Sequence, residues 1–222
     1  MHRVITVDGP AGSGKGTVTK LVAKELGFFA MDTGTIYRSI GLYFGRNNIA
    51  ETEIEKIKSE LEKIDFKYID DGEKVTILLN GEDVTGKIRT PEVDKYASIY
   101  SQIFEIRECA RKIQREFAEN HDCIFEGRAM GSVDFPDAFL KIYLDATPEE
   151  RARRRIKQNE EKGLEPASFE DVLKEIKERD YRDSHREIEA LKVPEGGIVV
   201  DSTNMTIGEV VNKIVELAKE RM

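Results

Sequence analysis

Residues 9–17 constrain the fold of this chain more than any other segment. They read Gly-Pro-Ala-Gly-Ser-Gly-Lys-Gly-Thr and lie between an apolar strand pattern at 3–8 and a helical pattern at 16–26. The G-x-x-x-x-G-K spacing in this context is that of a phosphate-binding loop, in which glycines let the backbone wrap around a polyphosphate. The sequence therefore predicts an α/β fold with an ATP site at Gly9, Pro10, Ala11, Gly12, Ser13, Gly14, Lys15, Gly16 and Thr17.

Two other nucleotide-binding classes share parts of this pattern. Glycines at alternate loop positions suggest a dinucleotide site with Asp32 as the ribose acid, but the third glycine comes one residue early and a loop lysine suits a triphosphate better. A GTPase switch is suggested by D-x-x-G at 83–86, but N-K-x-D is lacking because residues 212–215 read Asn-Lys-Ile-Val. Both classes are therefore disfavoured.

Composition disfavours several further classes. The chain has 35 Lys+Arg and 43 Asp+Glu, a net charge of −8, which argues against a general nucleic-acid or membrane-surface binder. No apolar run approaches the ~20 residues of a membrane span, and no signal-peptide core precedes the first strand pattern. Cys109 and Cys123 are too few for a disulfide framework and are predicted to be reduced thiols. We expect a cytoplasmic protein with neither nucleic-acid nor membrane partners.

Strand and helix patterns alternate along most of the chain. Nearly all-apolar strand patterns, separated by helical ones, recur at 28–31, 123–126, 140–145 and 198–201. Such alternation is typical of a doubly wound parallel sheet with helices on both faces. Residues 66–89 break the alternation, because two strand patterns and the hairpin turn Asn80-Gly81 predict a small antiparallel sheet. A helical pattern then runs from Pro91 to about Asn120.

Several further segments, in one order along the chain, resemble bacterial-type cytidylate kinases, a family of nucleoside monophosphate kinases. They are Asp-Thr-Gly-Thr-Ile-Tyr-Arg at 32–38, Gly-Glu-Asp-Val-Thr-Gly-Lys-Ile-Arg-Thr-Pro-Glu-Val at 81–93, Glu-Gly-Arg-Ala-Met-Gly at 126–131, Phe-Pro-Asp-Ala at 135–138 and Lys-Glu-Arg-Asp-Tyr-Arg-Asp at 177–183. The likeness covers about residues 3–220. It implies transfer of the γ-phosphoryl group of ATP to CMP or dCMP, with Mg²⁺ as cofactor.

The resemblance also implies an organisation of the chain. The expected fold is a three-layer P-loop NTPase, a parallel sheet flanked by helices, with an inserted antiparallel β element and a helical lid. The predicted core domain comprises residues 1–32, 121–147 and 191–222. The predicted monophosphate-binding region is 33–120, with the β insert at 64–90, and the predicted lid is 148–190.

Seven residues are implied as the CMP site. Guanidinium groups pair phosphate oxygens bidentately, which suits an acceptor phosphate. The resemblance places Arg38, Arg128 and Arg186 on that phosphate. It places Thr33 and Asp183 near the ribose, and Ser98 and Arg107 at the cytosine edge.

Residue 129 departs from the family pattern, since the family usually carries Asp after Gly-Arg and this chain carries Ala129. Alanine cannot accept a hydrogen bond from the exocyclic amine of cytosine, and one such contact is worth ~1–3 kcal/mol of discrimination. Asp134 is a nearby carboxylate that could substitute. The alternative reading is thus a monophosphate kinase with relaxed base preference, or one that prefers UMP.

Lys15 in the loop is a predicted catalytic residue, and the resemblance implies Arg154 and Arg179 in the lid as two further ones; together they would carry the charge of the migrating phosphoryl group. The acceptor oxygen is already anionic, so alignment and charge neutralisation are expected to supply the catalysis. Thr17 provides the first hydroxyl after Lys15 and is the predicted Mg²⁺ ligand. Glu126, at a strand end, is predicted to orient metal-bound water.

A further alternative, from a different class, is a nucleotide-binding switch without transfer. Two predicted anion sites argue against it, because a protein that only binds a nucleotide needs one. We expect a monomer with ATP, CMP and dCMP as its small-molecule partners.

Overall fold

The computed structural model describes residues 2–70, 74–161, 163, 167–185 and 187–222. The strands are β1 (Val4–Asp8), β2 (Phe29–Asp32), β3 (Phe66–Asp70), β4 (Val75–Leu79), β5 (Glu82–Asp83), β6 (Cys123–Gly127), β7 (Leu140–Asp145) and β8 (Ile198–Asp201). The helices are α1 (Lys15–Leu26), α2 (Gly34–Arg46), α3 (Ile54–Leu61), α4 (Pro91–Tyr100), α5 (Phe104–Ala118), α6 (Pro148–Glu161), α7 (Phe169–His185) and α8 (Ile207–Lys219). Within these ranges no helix combines the length and apolarity that crossing a bilayer requires.

The chain divides into two compact units, each described here by itself. The first unit joins Met1–Met31 to His121–Met222, and the second is Asp32–Asn120. The described part of the predicted lid lies in the first unit. The three-part division into core, acceptor region and lid stays a prediction.

A five-stranded sheet in the order β2-β6-β1-β7-β8 organises the first unit. The pairs β1–β6, β1–β7 and β7–β8 are parallel. In this register Asp8 at the end of β1 lies beside Gly127 on one side and Tyr143 on the other. The residues that follow these strands therefore emerge at one edge, the carboxyl edge, where open α/β sheets bind ligands. The predicted α/β fold class is confirmed.

The core of this unit explains why the strand patterns are nearly all apolar. Ile5, Ile124 and Leu140 lie on adjacent strands and are fully buried. They pack in one cluster with Val18 of α1 and Ile214 of α8. Burying a side chain of this size contributes about 1.5–3 kcal/mol, so the cluster anchors α1, and the loop before it, to the sheet.

Helices α6 and α7 form a hairpin in the first unit. Ala152 on α6 packs against Val172 and Ile176 on α7, and this small cluster is buried although both helices are rich in charge. On α6 an ion pair joins Glu150 to Arg154, with Oε1 3.1 Å from Nε. The apolar contact fixes which face of each helix points to the other.

In the second unit, β3, β4 and β5 form the predicted antiparallel sheet. Asn80 and Gly81 have φ values of 50° and 81°, the positive angles of a type I′ turn, whose twist suits a two-residue hairpin. Leu79 pairs with Glu82 across this turn. The Asn-Gly prediction is confirmed; Asp71 and Gly72, between β3 and β4 in the sequence, lie outside the described residues.

Helices α2 and α4 pack closely because two glycines face α4. A Cβ added at Gly45 would overlap the ring of Tyr96, and one added at Gly41 would lie 2.9 Å from the backbone nitrogen of Ala97. Gly41 and Gly45 are four residues apart, hence on one helix face.

The helical pattern from Pro91 to about Asn120 resolves into α4 and α5, with a break at 101–103. Ile103 is extended, with φ −88° and ψ 126°, so α5 starts in a new direction. The Arg107 guanidinium donates to the Ser101 carbonyl at 2.8 Å, which satisfies an oxygen that the end of α4 leaves without a helical partner.

Candidate nucleotide site

The loop between β1 and α1 depends on glycine at several positions. Gly9, Gly12 and Gly14 have φ values of 150°, 78° and 91°, where side chains are disfavoured. A Cβ at Gly9 would also overlap the carbonyl oxygen of Leu144 on the adjacent strand β7. The close approach of β7 therefore requires glycine at position 9, where the tight turn of the loop begins.

Lys15 begins α1 and folds back over this loop. Its Nζ donates to the carbonyls of Gly9 at 2.8 Å and Pro10 at 2.7 Å, and it lies 3.4 Å from Ser13 Oγ. Only 7% of Lys15 is exposed. The ammonium thus lies at the centre of the loop that it is predicted to serve.

The electrostatic environment of Lys15 favours an anion. Burial lowers the pKa of Lys15 well below its ordinary value, and the nearby Arg128 and Arg179 lower it further, against the opposing effects of Glu126 and Asp8. A phosphate bound there would supply the negative charge that this cluster of cations needs.

Arg154, predicted as a lid residue, contacts the outside of the same loop. Its Nη1 lies 3.4 Å from the Ser13 carbonyl and 3.0 Å from Ser202 Oγ, and its Nη2 donates to the Ser202 carbonyl at 2.6 Å. With its ion pair to Glu150, the guanidinium joins α6, the loop and the segment after β8.

Arg128 and Asp183, predicted on the acceptor phosphate and ribose, are paired in the first unit. Arg128 Nε donates to Asp183 Oδ2 at 2.8 Å, and each side chain is one-fifth exposed. Arg179, one turn before Asp183, has an exposed side chain. Desolvation by neighbouring protein atoms nevertheless lowers the pKa of Arg179. The positive charge of Arg128 lowers this pKa further, whereas the negative charge of Asp183 raises it. The positive charges of Arg128, Arg179 and Lys15 therefore influence one another.

The remaining described acceptor candidates belong to the second unit. Thr33 precedes α2 and is buried. Arg38 Nε donates to Asp94 Oδ1 at 2.8 Å, and its Nη1 lies 3.6 Å from Asp32 Oδ2. These two carboxylates hold the Arg38 guanidinium in one position. Its side chain is still 28% exposed, so it remains accessible to a ligand.

The two predicted base-reading residues differ in environment. Ser98 is exposed on α4. Arg107 is buried on α5, where its guanidinium lies 5.7 Å from the centre of the Tyr37 ring. This contact and the hydrogen bond to Ser101 fix its orientation. Arg186, the last predicted acceptor residue, lies outside the described residues.

A short π-helical turn (Met130–Asp134) follows β6; it begins directly after Ala129 and ends at Asp134. Both are buried, Ala129 at 3% and Asp134 at 6% exposure. The Ala129 carbonyl accepts from the backbone nitrogens of Val133 at 2.9 Å and Asp134 at 3.3 Å. The turn, rather than the side chain of residue 129, thus determines the local shape.

Two residues that hold the site together were not singled out from the sequence. The Asp8 carboxylate accepts from the backbone nitrogens of Met130 and Gly131, each at 2.8 Å, and burial raises its pKa. It therefore ties the end of β1 to the turn that follows Arg128. Its only signal in the sequence was a carboxylate at the end of an apolar strand.

Arg151 is the second such residue. It is 3% exposed and contacts the phosphate loop, with Nη1 donating to the Ala11 carbonyl at 3.0 Å. The sequence has four arginines at 151–155. Residue type alone therefore does not distinguish the buried Arg151 from the exposed Arg153.

The residues predicted for Mg²⁺ offer oxygen donors that fit this ion. Thr17 is exposed in the first turn of α1. A Cβ added at Gly16 would lie 3.0 Å from Glu126 Oε1, so that carboxylate lies against the start of the same helix. Among the described residues no group of three or more His, Cys, Asp or Glu forms a metal cage. Mg²⁺ in phosphotransfer sites is held largely by phosphates and water, so a hydroxyl and one carboxylate suffice.

Comparison with known proteins agrees with this geometry. Residues 5–220 match the family described as cytidylate kinase. A cytidylate kinase of Caldicellulosiruptor saccharolyticus is 48% identical over 213 residues, which cover 96% of this chain and 94% of that protein. One of Thermosipho melanesiensis is 46% identical over 218 residues, covering 98% and 97%.

Among solved structures, an uncharacterised protein from Eubacterium ventriosum superposes with a TM-score of 0.54 at 12% identity, covering 98% of this chain and 99% of that one, which shows a shared fold. The extent of the family match and the identity to the curated relatives leave one assignment: the chain belongs to the cytidylate kinase family of ATP-dependent phosphotransferases.

Proposed function

We propose that this protein transfers the γ-phosphoryl group of ATP to CMP and dCMP, giving ADP and the corresponding diphosphate. The supporting observation is the position of Lys15, whose Nζ donates to the Gly9 and Pro10 carbonyls of the loop at the carboxyl edge of the sheet. Burial lowers the pKa of Lys15, and the positive charges of Arg128 and Arg179 lower it further, so that an anion such as phosphate would be favoured beside it. The family relationship supports ATP-dependent phosphorylation of a nucleoside monophosphate.

In the proposed mechanism the acceptor phosphate oxygen attacks the γ-phosphorus, and the bond from that phosphorus to the β,γ-bridging oxygen breaks. The acceptor oxygen is already anionic, so no proton has to be removed by a base. The loop amides bind the donor phosphates, and Lys15 exchanges the Gly9 and Pro10 carbonyls for phosphate oxygens. Arg154 and Arg179 neutralise charge from the side of α6 and α7.

The acceptor is held in this proposal by Arg38, Arg128 and Arg186 at its phosphate and by Thr33 and Asp183 at its ribose. Ser98 and Arg107 read the base. The rigid packing of Arg107 against Tyr37 supports a recognition role, because a fixed guanidinium presents its donors in one direction.

Thr17 and Glu126 would hold Mg²⁺, directly and through water. When bound, the ion supplies positive charge to the donor phosphates. The cytoplasmic location and the monomeric state stay predictions.

The alternative with relaxed preference for UMP rests on Ala129. The experiment compares kcat/KM for CMP, dCMP and UMP in the wild type and in Ala129→Asp. We expect phosphorylation of CMP and dCMP by the wild type, and an increase of about 10- to 100-fold in the CMP:UMP ratio when the carboxylate is introduced. Thermal unfolding of Ala129→Asp reports the cost of placing a carboxylate at this buried position.

An ADP-release assay with and without CMP separates transfer from a nucleotide switch. ADP release that requires CMP supports the proposal. ATP turnover that is independent of every monophosphate would contradict it, and a wild type that prefers UMP over CMP would move the assignment to the alternative.

A further inference from the structure

Arg151 joins three parts of the first unit. Its Nε donates to the Ala146 carbonyl, after β7, at 2.8 Å. Its Nη1 donates to the Ala11 carbonyl, in the phosphate loop, at 3.0 Å. The guanidinium also pairs with Asp180 on α7, with Nη1–Oδ1 and Nη2–Oδ2 distances of 3.0 and 2.6 Å. One buried side chain therefore links the sheet, the loop and α7.

The contact with the loop extends beyond this hydrogen bond. A Cβ added at Gly12 would lie 3.3 Å from Arg151 Cβ and 3.4 Å from its carbonyl oxygen, so the loop backbone rests on the first turn of α6. The neighbouring Ser13 carbonyl faces Arg154, one turn further along α6. Arg151 and Arg154 thus bind the carbonyls of Ala11 and Ser13 from the side of α6. These contacts orient the peptide units of the loop and therefore set the direction in which the loop amides point.

Asp180 connects this arrangement to residues of the proposed mechanism. It lies next to Arg179 and three residues before Asp183 on α7. A change in the position of α7 therefore acts on Arg151 through a bidentate ion pair, and on the loop through the Ala11 carbonyl. No other contact of Arg151 is needed for this path.

We propose that Arg151 is a positioning residue for ATP: held by Asp180, it sets the conformation of the phosphate loop and couples it to α7. The proposal rests on the proposed function, because it concerns the same ATP site. It assigns Arg151 no contact with substrate. Its role is to act through the Ala11 carbonyl.

The test uses Arg151→Lys and Asp180→Asn, singly and together, with Arg153→Lys as matched control. Lysine keeps the charge but lacks the planar fork that reaches three partners at once. Asparagine keeps the shape of Asp180 and removes its charge. Arg153 lies on the same helix with a side chain that is 65% exposed. For each variant KM for ATP, KM for CMP, kcat, the melting temperature and the calorimetric Kd of ADP are measured.

We expect kcat/KM for ATP to fall by about 100-fold in Arg151→Lys, the order expected when a site is displaced by ~1 Å, with KM for CMP nearly unchanged. Asp180→Asn should raise KM for ATP and the Kd of ADP in the wild-type background. It should add little in the Arg151→Lys background, since the two residues act in one path. Arg153→Lys should behave as the wild type.

A purely structural role predicts a different pattern. Lower melting temperatures with equal changes in KM for ATP and CMP, or fully additive effects of the two substitutions, would overturn the proposal. If Arg151→Lys does not fold, Asp180→Asn alone decides by the same comparison of ATP with CMP. A wild type that binds ADP but phosphorylates no monophosphate would refute the proposed function, while the ADP affinities of the variants would still test Arg151.

Discussion

Arg128 Nε lies 2.8 Å from Asp183 Oδ2. The two residues that are proposed to bind the phosphate and the ribose of one acceptor are thus bound to each other. Each of the two side chains is one-fifth exposed, so solvent reaches the pair. Acceptor binding can therefore replace the pair at small cost, because the phosphate satisfies the guanidinium and the ribose hydroxyls satisfy the carboxylate.

Replacing Asp183 should separate acceptor use from ATP use. In Asp183→Ala we expect KM for CMP to rise at least about tenfold, the size of a lost hydrogen bond to a charged group, with KM for ATP within about twofold of the wild type. Steady-state kinetics with each substrate varied in turn measure both values. Glu175→Ala, an exposed site on the same helix, is the control. Equal damage to both KM values would remove Asp183 from the ribose site.

Lys15 should be indispensable for turnover but not for folding. In Lys15→Ala we expect kcat to fall by about 100-fold or more, because a charge that follows the transferring group is lost. Circular dichroism should show retained secondary structure, since the carbonyls of Gly9 and Pro10 are the principal groups left without their donor. Lys20→Ala, exposed on the same helix, should be unaffected. Wild-type turnover by a folded Lys15→Ala protein would refute the role of this lysine.

Cys123 should be protected from alkylation in the folded protein. Burial raises the pKa of its thiol to about 12, and its side chain is fully buried. At pH 8 about one such thiol in 10,000 is ionised, and the thiolate is the reactive form. With iodoacetamide at pH 8, we expect the partly exposed Cys109 to react first and Cys123 to react only after unfolding. Tryptic peptides measured by mass spectrometry report the two sites separately; equal rates in the folded state would contradict this prediction.

Asp122 should contribute its full stabilisation only above about pH 4, and progressively less at lower pH. Burial alone would raise its pKa, but hydrogen bonds from the side chain and backbone of Arg3 outweigh that effect and lower it. A carboxyl with a lowered folded-state pKa stabilises the fold above its unfolded pKa, about 3.9, and loses that contribution as pH falls through the folded value.

Denaturant unfolding of Asp122→Asn tests this dependence. We expect a loss of about 1 kcal/mol at pH 7, since the pair is partly exposed, and a smaller loss at pH 3. Asp137→Asn, at an exposed position, serves as control. A loss of equal size at both pH values would show that the charge of Asp122 is not the cause.

The parts of the fold that local chemistry determines could be predicted from the sequence. The phosphate loop, the Asn80-Gly81 hairpin and the apolar strands of the sheet all depend on neighbouring residues, and the structure confirms each. The break between α4 and α5 could not be predicted, because the segment keeps its helical pattern through residues 101–103. It depends on Arg107 reaching back to the Ser101 carbonyl.

The supporting residues of the site escaped prediction for a related reason. Arg151 and Arg153 have the same type and lie two residues apart, yet one is buried against the loop and the other points to solvent. The carboxylate partner of Arg151 is distant in sequence, since Asp180 lies 29 residues away, whereas Arg153 pairs with Glu150 on its own helix. Only the packing of the α6–α7 hairpin decides which arginine meets which carboxylate.

The missing side chains of Gly41 and Gly45 have a consequence for substrate recognition. The ring of Tyr96 fits against Gly45 and the backbone of Ala97 against Gly41, so α2 and α4 are in close contact at two points one helical turn apart. Arg38 lies on α2 and Ser98 on α4. This close contact keeps the residue proposed to hold a phosphate at a constant separation from the one proposed to read a base.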